Sequence, residues 1–153
     1  MQGNSEVIST RQAALSAEGK LNLQSRLDTQ QLKFMGVPKL ACKFDGIGDD
    51  AHCYLKLVTK RCLFLNGNPS YTVPELVRIT NVTDMIKNTL ELELGIVGPY
   101  EQAVQVAQKA MDDTTRNLFE HLLKWHQKHV GWLEKQLRLI NILGESDYIS
   151  EKL

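Results

Sequence analysis

The stretch LKLVTKRCLFLNGNP, residues 55–69, decides how the chain is organised, because a helical pattern ends inside it and a long connection begins. Leu55, Val58, Cys62 and Leu65 recur at helical spacing, so they are predicted to share one face of a helix. The NGNP run that follows is predicted to stop a helix, since glycine disfavours the helical backbone and proline removes a backbone donor from it. Residues 66–82 hold no long apolar period and are predicted to form an extended connection.

The same helical periodicity recurs in three other segments. Helices are predicted from Ser5 to about Met35, from Thr83 to Met111, and from Asp112 or Asp113 to Leu143. Gly36-Val37-Pro38 ends the first helix, and Gly144 separates a last short amphipathic piece, SDYISEKL. Short links join antiparallel neighbours, whereas a long link can run the length of a bundle. The sequence therefore predicts an all-α four-helix bundle with one long crossover connection. A coiled coil is the alternative, but the apolar positions hold no strict heptad.

Two places resist the helical pattern. Gly46 and Gly48 would each cost about 1 kcal/mol inside a helix, so the second helix is predicted to begin at Asp49, with Asp49 or Asp50 as its N-cap. Pro99 lies inside the third segment, where it removes a backbone donor and is predicted to kink the helix.

Composition and charge narrow the class of protein. The chain has 153 residues, with 18 Lys and Arg against 18 Asp and Glu, so its formal net charge is zero and we expect a single domain, residues 1–153. Interspersed charges of both signs argue against a nucleic-acid binder with a broad basic face. No stretch has the length of apolar sequence that a membrane span needs. Three cysteines that cannot all pair, and an N-terminus without the apolar core of a signal peptide, indicate a cytoplasmic protein.

Four side chains are candidates for metal binding. His126 and His129 stand at i and i+3 on one face of the fourth helix, where both imidazoles can reach one metal ion. Glu18 and Glu93 lie within apolar stripes, where a carboxylate is costly unless it is paired or bound to metal. Glu91 beside Glu93 weakens this argument, since one of the two must face outward. A pair of partly solvated histidines is the alternative interpretation of His126 and His129.

Several motifs resemble bacterioferritin over essentially the whole chain. They are GxxxVI at Gly3–Ile8, RCLFLNGNP at 61–69, LELELG at 90–95, HVGWLEKQLRLI at 129–140 and the tail LGESDYISEKL. The resemblance implies a ferritin-like four-helix bundle with a long crossover and a short C-terminal fifth helix. It also implies a hollow, octahedrally symmetric 24-subunit shell, which oxidises ferrous iron and stores it as mineral, with haem at two-fold subunit contacts.

The resemblance also implies a di-iron site with ligands from all four helices. The family's ligand positions fall on Glu18, Ala51, Tyr54, Glu93, His126 and His129. Ala51 and Tyr54 thus replace a glutamate and a histidine, and His126 replaces a second glutamate. The two missing glutamates bridge the irons in the family, and without them two ferrous ions would repel each other with little compensation. The chain is therefore predicted not to form a working ferroxidase centre alone.

Two interpretations of the residual site stay open. Glu93, His126 and His129, with Glu18 nearby, match a mononuclear 2-His-1-carboxylate site suited to iron(II), zinc or cobalt. The alternative is a hydrogen-bonded polar remnant, with the Tyr54 hydroxyl in the vacated metal position.

The family's haem and inner-surface iron positions are altered too. The axial methionine falls on His52, and imidazole is itself a haem ligand. The positions lining the haem pocket are polar or charged here: Asn22, Arg26, Asp45 and Asp49. Such side chains disfavour an apolar macrocycle unless they pair, although Arg26 offers a partner for a propionate. Asp50 matches an inner-surface iron position whose histidine companion has become Gly46.

The function hypotheses follow from these substitutions. The first is an iron-storage shell subunit with an impaired ferroxidase centre, which co-assembles with a related, active and acidic bacterioferritin subunit that keeps both glutamates. The alternative is a non-enzymatic shell or bundle that binds metal through the residual His/Glu cluster, or haem through His52. An enzyme with a rearranged centre is a third, less favoured hypothesis.

Overall fold

The computed structural model describes residues 5–153, except for the side chains of Ser5, Val7 and Ile8. The Gly3 end of the GxxxVI match, and the side chains of its Val7 and Ile8, therefore lie outside the described residues.

Five helices make up the described part of the chain, and it contains no strand. They are α1 (Ser5–Met35), α2 (Pro38–Phe64), α3 (Val82–Lys109), α4 (Asp113–Leu143) and α5 (Glu145–Ser150). The main contacts join α1 to α2, α3 to α4, and α1 to α3. The predicted four-helix bundle with one long connection and a short fifth helix is confirmed. None of the described helices is long and apolar enough to cross a membrane.

The helix ends follow the local sequence. Gly36, which follows α1, adopts a φ of 81°, a left-handed conformation that favours glycine, and Pro38 opens α2. The side chain of Asn81 accepts a hydrogen bond from the backbone N–H of Asp84 at the start of α3. Asp112 does the same for Thr115 at the start of α4, which begins at Asp113, one of the two starts that the sequence predicted.

The predicted start of α2 at Asp49 is wrong, because the helix begins at Pro38 and runs through both glycines. Its first turns bury the apolar side chains of Leu40, Phe44 and Ile47. Burial of one such side chain contributes about 1.5–3 kcal/mol, which exceeds the helix penalty of a glycine. The apolar face of this segment therefore decides its conformation against local propensity.

α3 remains helical through Pro99 to Lys109, so the proline does not end the helix. The kink at this proline stays a prediction.

The long connection lies along α1. The Gln24 amide donates to the carbonyl of Val77 at 2.8 Å and accepts from its N–H at 3.0 Å. Near the other end of the connection, the Gln12 amide pairs in the same way with the backbone of Ser70. These paired bonds hold the crossover against α1.

The core consists of two apolar clusters with a polar layer near its middle. Leu122 belongs to one cluster and Leu133 to the other. His126 lies between these two leucines on α4 and is wholly buried. The polar layer at this level is the candidate site.

Candidate metal centre

Three helices bring the candidate ligands together inside the bundle. Glu18 comes from α1, Glu93 from α3, and His126 and His129 from α4. Glu18, Glu93 and His126 are 0% exposed, so any charge among them must be balanced locally. Glu93 is buried and Glu91 is exposed, so Glu93 is the one of the two that faces the core.

The imidazole of His126 lies between two carboxylates. Its Nδ1 is 2.6 Å from Glu93 Oε2, and its Nε2 is 2.5 Å from Glu18 Oε1. A neutral imidazole has only one N–H to donate, so bonds to two carboxylates favour the doubly protonated ring. Burial alone would lower the pKa of His126, but the hydrogen bonds to Glu18 and Glu93 raise it to about 9. The centre thus holds a buried imidazolium between two acids.

His129 extends this network toward the surface. Its Nδ1 is 2.7 Å from Glu93 Oε1, and its Nε2 is 2.9 Å from Asp50 Oδ2. Burial lowers the pKa of His129, but the bonds to Glu93 and Asp50 raise it above its ordinary value overall. Each carboxylate oxygen of Glu93 therefore forms a hydrogen bond with a different histidine. Although burial would raise the pKa of Glu93, these two hydrogen bonds hold it below its ordinary value.

Two tyrosines frame His126. The Tyr100 hydroxyl donates to Glu18 Oε1 at 2.7 Å, and the ring centroid of Tyr100 lies 5.5 Å from that of His126. The ring of Tyr54 lies edge-on to His126 at 5.3 Å. Tyr54 and Ala51 are buried, so both altered ligand positions of α2 pack as core residues.

Sequence reasoning missed Tyr100 and the bond from Asp50 to His129. Tyr100 stands seven residues after Glu93, two turns along the same face of α3, and this spacing is a signal that it points toward the site. The partner of its hydroxyl lies on α1, which no spacing within α3 reveals. Asp50 was predicted as a separate inner-surface position, but the structure joins it to the centre through His129.

The residual ligands can hold one metal ion. One ligand atom from each of Glu93, His126 and His129 lies within 4.8 Å of the other two. Two imidazole nitrogens and a carboxylate oxygen suit iron(II), zinc or cobalt. For His126 to ligate, its ring must lose a proton and release one carboxylate. Ala51 and His126 occupy the positions that the resemblance gives to the bridging glutamates, and neither side chain is a carboxylate.

A cavity of about 360 Å³ opens beside His129 and is lined in part by Gly46, Asp50 and Trp132. His129 lines this cavity and is 12% exposed, and its partner Asp50 is 45% exposed, whereas Glu18, Glu93 and His126 are closed to solvent. The cavity therefore joins His129 to solvent.

His52, which the resemblance matches to the haem ligand, lies elsewhere, on the outer face of α2. His52 is exposed there and takes no part in the buried cluster. Asp45 and Asp49 share that face with His52, since their spacing of four and seven residues is that of one helix face. Both acids contact Arg26 of α1.

Known proteins share the sequence features and the fold of this chain. Residues 31–143 match the ferritin-like domain family. A bacterioferritin of Streptomyces coelicolor is 34% identical over 151 residues, covering 98% of this chain and 90% of that protein. A bacterial ferritin of Neisseria meningitidis serogroup B is 29% identical over 154 residues and covers 100% of both chains.

A solved structure of a mycobacterial bacterioferritin has the same fold. It matches this structure with a TM-score of 0.97 over 100% of this chain and 96% of that one, at 23% sequence identity. Four long helices with one crossover and buried Glu and His side chains in the core define the ferritin-like class. Within that class, the chain belongs to the bacterioferritin family.

Proposed function

We propose that this chain is a shell subunit of an iron-storage bacterioferritin whose own ferroxidase centre is impaired, and that it co-assembles with an active subunit. The observation that carries the proposal is the position of His126, whose two ring nitrogens bond to Glu18 and Glu93. The side chains left for iron are thereby bound to one another.

The charge at the centre supports this reading. Glu18 and Glu93 are the only wholly buried acids of the cluster, and one buried imidazolium already neutralises half of their charge. Two ferrous ions at the same place would add four positive charges in a medium of low dielectric constant. Without bridging carboxylates, we expect the second ion to bind too weakly for paired-iron oxidation.

The whole-length relationship to bacterial ferritins supports assembly into a shell. The relative from Neisseria meningitidis aligns over its full length, and the bundle matches a mycobacterial bacterioferritin closely. We propose that residues 1–153 form one ferritin-like domain, that it joins a 24-subunit hollow shell in the cytoplasm, and that related subunits carry the oxidation chemistry. The partner is then expected to be acidic and to keep both bridging glutamates.

The decisive experiment compares the purified chain with a variant that restores the family's ligand set. Wild type and Ala51→Glu/Tyr54→His/His126→Glu are loaded aerobically with ferrous iron in a stopped-flow spectrometer. We expect wild type to show only slow oxidation, and the variant to gain a fast phase that saturates at two irons per subunit. A fast saturating phase in wild type would show that its centre is intact and would reject the proposal.

Co-assembly is tested separately by co-expressing the chain with an intact bacterioferritin subunit that carries a different mass tag. Native mass spectrometry should find shells that contain both. Exclusively unmixed shells, or a chain that stays monomeric or dimeric, would reject this half of the proposal whatever the oxidation rate.

A mononuclear metal site is the second candidate, favoured by the three ligand atoms within 4.8 Å of one another. Cobalt(II) is a suitable probe, because its visible absorption reports a four-coordinate nitrogen and oxygen site. We expect one cobalt per chain, lost in His129→Ala and retained in His121→Ala, an exposed histidine on the same helix. Equal binding by both variants would place the metal elsewhere.

A further inference from the structure

We infer that this chain excludes haem from its own two-fold face, because Arg26 and its two acidic partners occupy the place that haem would take. The inference uses the proposed bacterioferritin-type assembly only to say where haem would lie. The His52 face is defined here as five residues on α1 and α2: Asn22, Arg26, Asp45, Asp49 and His52.

The guanidinium of Arg26 spans the gap between the two helices. Its Nη1 is 2.8 Å from Asp45 Oδ1 and 3.1 Å from the Asp45 carbonyl oxygen. Its Nη2 is 2.7 Å from Asp49 Oδ1, and its Nε donates to Asn22 Oδ1 at 3.2 Å. Each of its three nitrogens therefore has an oxygen partner within the face.

Gly48 makes room for this arrangement. A Cβ placed on Gly48 would lie 3.1 Å from the Cζ and Nε of Arg26. The guanidinium thus lies directly against the backbone of α2, on the face where the resemblance to bacterioferritin puts the haem. A ring that enters there must first displace Arg26 from two carboxylates.

Arg26 is also unsuited to hold a propionate. A guanidinium holds a carboxylate best through two parallel N–H groups of its rigid, planar fork, and both must be unoccupied. Here the two terminal nitrogens are already bound to Asp45 and Asp49. A propionate would compete with these carboxylates and add a third negative charge beside them.

The remaining surface is hydrated and charged. Asp45 and Asp49 are 46% and 68% exposed, and with Arg26 they leave the face with a net negative charge. A haem shared by two copies across a two-fold axis would strip water from four such carboxylates, which is unfavourable without added counter-charge. His52 offers an axial nitrogen, but the four residues that share its face are all polar or charged.

The test is a haem titration of the assembled protein, read by its absorption spectrum. Wild type is compared with the apolar-face variant Arg26→Leu/Asp45→Leu/Asp49→Leu. A matched control, Asp84→Leu/Lys87→Leu/Glu91→Leu, removes the same charges from exposed positions on α3. Circular dichroism and size-exclusion chromatography establish that each variant folds and report its assembly state.

We expect wild type and the control to take up no haem at the two-fold site. The apolar-face variant should bind haem about tenfold more tightly or better, with a spectrum of two imidazole ligands that disappears when His52→Ala is added. Stoichiometric haem in wild type, lost in His52→Ala, would overturn the inference. So would an apolar-face variant that folds and assembles like wild type but binds no more haem.

The outcome is separable from that of the proposed function. Failure of wild type to form shells would be seen by size-exclusion chromatography and would count against the proposed function. The comparison of wild type with the apolar-face variant would still decide whether Arg26 and its two acids exclude haem.

Discussion

The buried imidazolium of His126 makes a direct prediction about stability and pH. Replacement by glutamine removes the charge but keeps a side chain that can donate to one carboxylate. The pKa of His126 is raised from 6.5 in the unfolded chain to about 9 in the folded protein, by hydrogen bonds that outweigh burial. At about 1.4 kcal/mol for each pKa unit, this rise corresponds to about 3 kcal/mol of folding free energy.

The sign of the effect follows from proton linkage. The folded state binds the proton more tightly than the unfolded state, so the stabilisation is fully present below pH 6.5 and is lost as the pH rises through about 9. His129, whose pKa is also raised, acts in the same direction. The lowered pKa of Glu93 comes from the same hydrogen bonds to His126 and His129, so it adds no separate stabilisation.

The assay is urea unfolding followed by circular dichroism across the range from pH 6 to pH 9.5. All proteins are measured at one concentration, because assembly contributes to apparent stability. We expect His126→Gln to be less stable than wild type by about 3 kcal/mol at the acid end, with a difference that shrinks toward the alkaline end. The control His121→Gln changes an exposed histidine and should follow wild type within about 0.5 kcal/mol. A deficit that stays constant over the whole range would mean that His126 is neutral, and would refute the imidazolium.

Three further predictions concern other buried or tightly packed groups. Burial raises the pKa of Asp28 from 3.8 to about 6, so its charge opposes folding as the pH rises through that range. Asp28→Asn should therefore stabilise the protein at pH 7 by up to about 3 kcal/mol. Equal free energies of unfolding for wild type and variant, at pH 7 as well as at pH 3.5, would contradict this. In Gly46→Ala the new Cβ meets no atom within 4 Å, so the free energy of unfolding should rise by up to about 1 kcal/mol and the melting temperature with it. Gly48→Ala should raise it less, because its Cβ pushes against Arg26. A larger rise for Gly48→Ala would refute the packing argument. Tyr100→Phe removes a hydrogen-bond donor from buried Glu18 and should lower the free energy of unfolding in urea by about 1.5–3 kcal/mol. Tyr148→Phe should lower it less, because the native Tyr148 hydroxyl donates to the neutral amide of Gln136.

The helical bundle could be predicted from the sequence because the signals that start and end its helices are local. Gly36 and the NGNP run stop helices by backbone chemistry, and Asp112 caps a helix through its own side chain. The start of α2 was predicted wrongly because its glycines are a local signal too, whereas the burial that outweighs them comes from other helices. At the start of α2, local helix propensity and the burial of apolar side chains favour different conformations, and burial contributes the larger free energy.

The candidate site divides along the same line. Glu18, Glu93, His126 and His129 were identified from their residue types, their spacing and a family resemblance. Their mutual bonding was not, because a contact such as that of His126 Nε2 with Glu18 Oε1 joins residues 108 positions apart. The same holds for Arg26, which the sequence left available to a propionate and the structure binds to Asp45 and Asp49.

The altered ligand positions make physical sense only as a set. A change of the second-helix glutamate to Ala51 alone would leave buried carboxylates that need metal cations for balance. His126 removes one more carboxylate and supplies a positive charge on the same side chain, bonded to both acids that remain. Tyr54 then fills space beside that ring with an aromatic face instead of a third imidazole. Under the proposed function, the polar layer is thereby neutral enough to fold without iron, and the need for metal at this position passes to the partner subunit. His126 is the residue on which this argument turns, because neither Ala51 nor Tyr54 can balance a buried carboxylate.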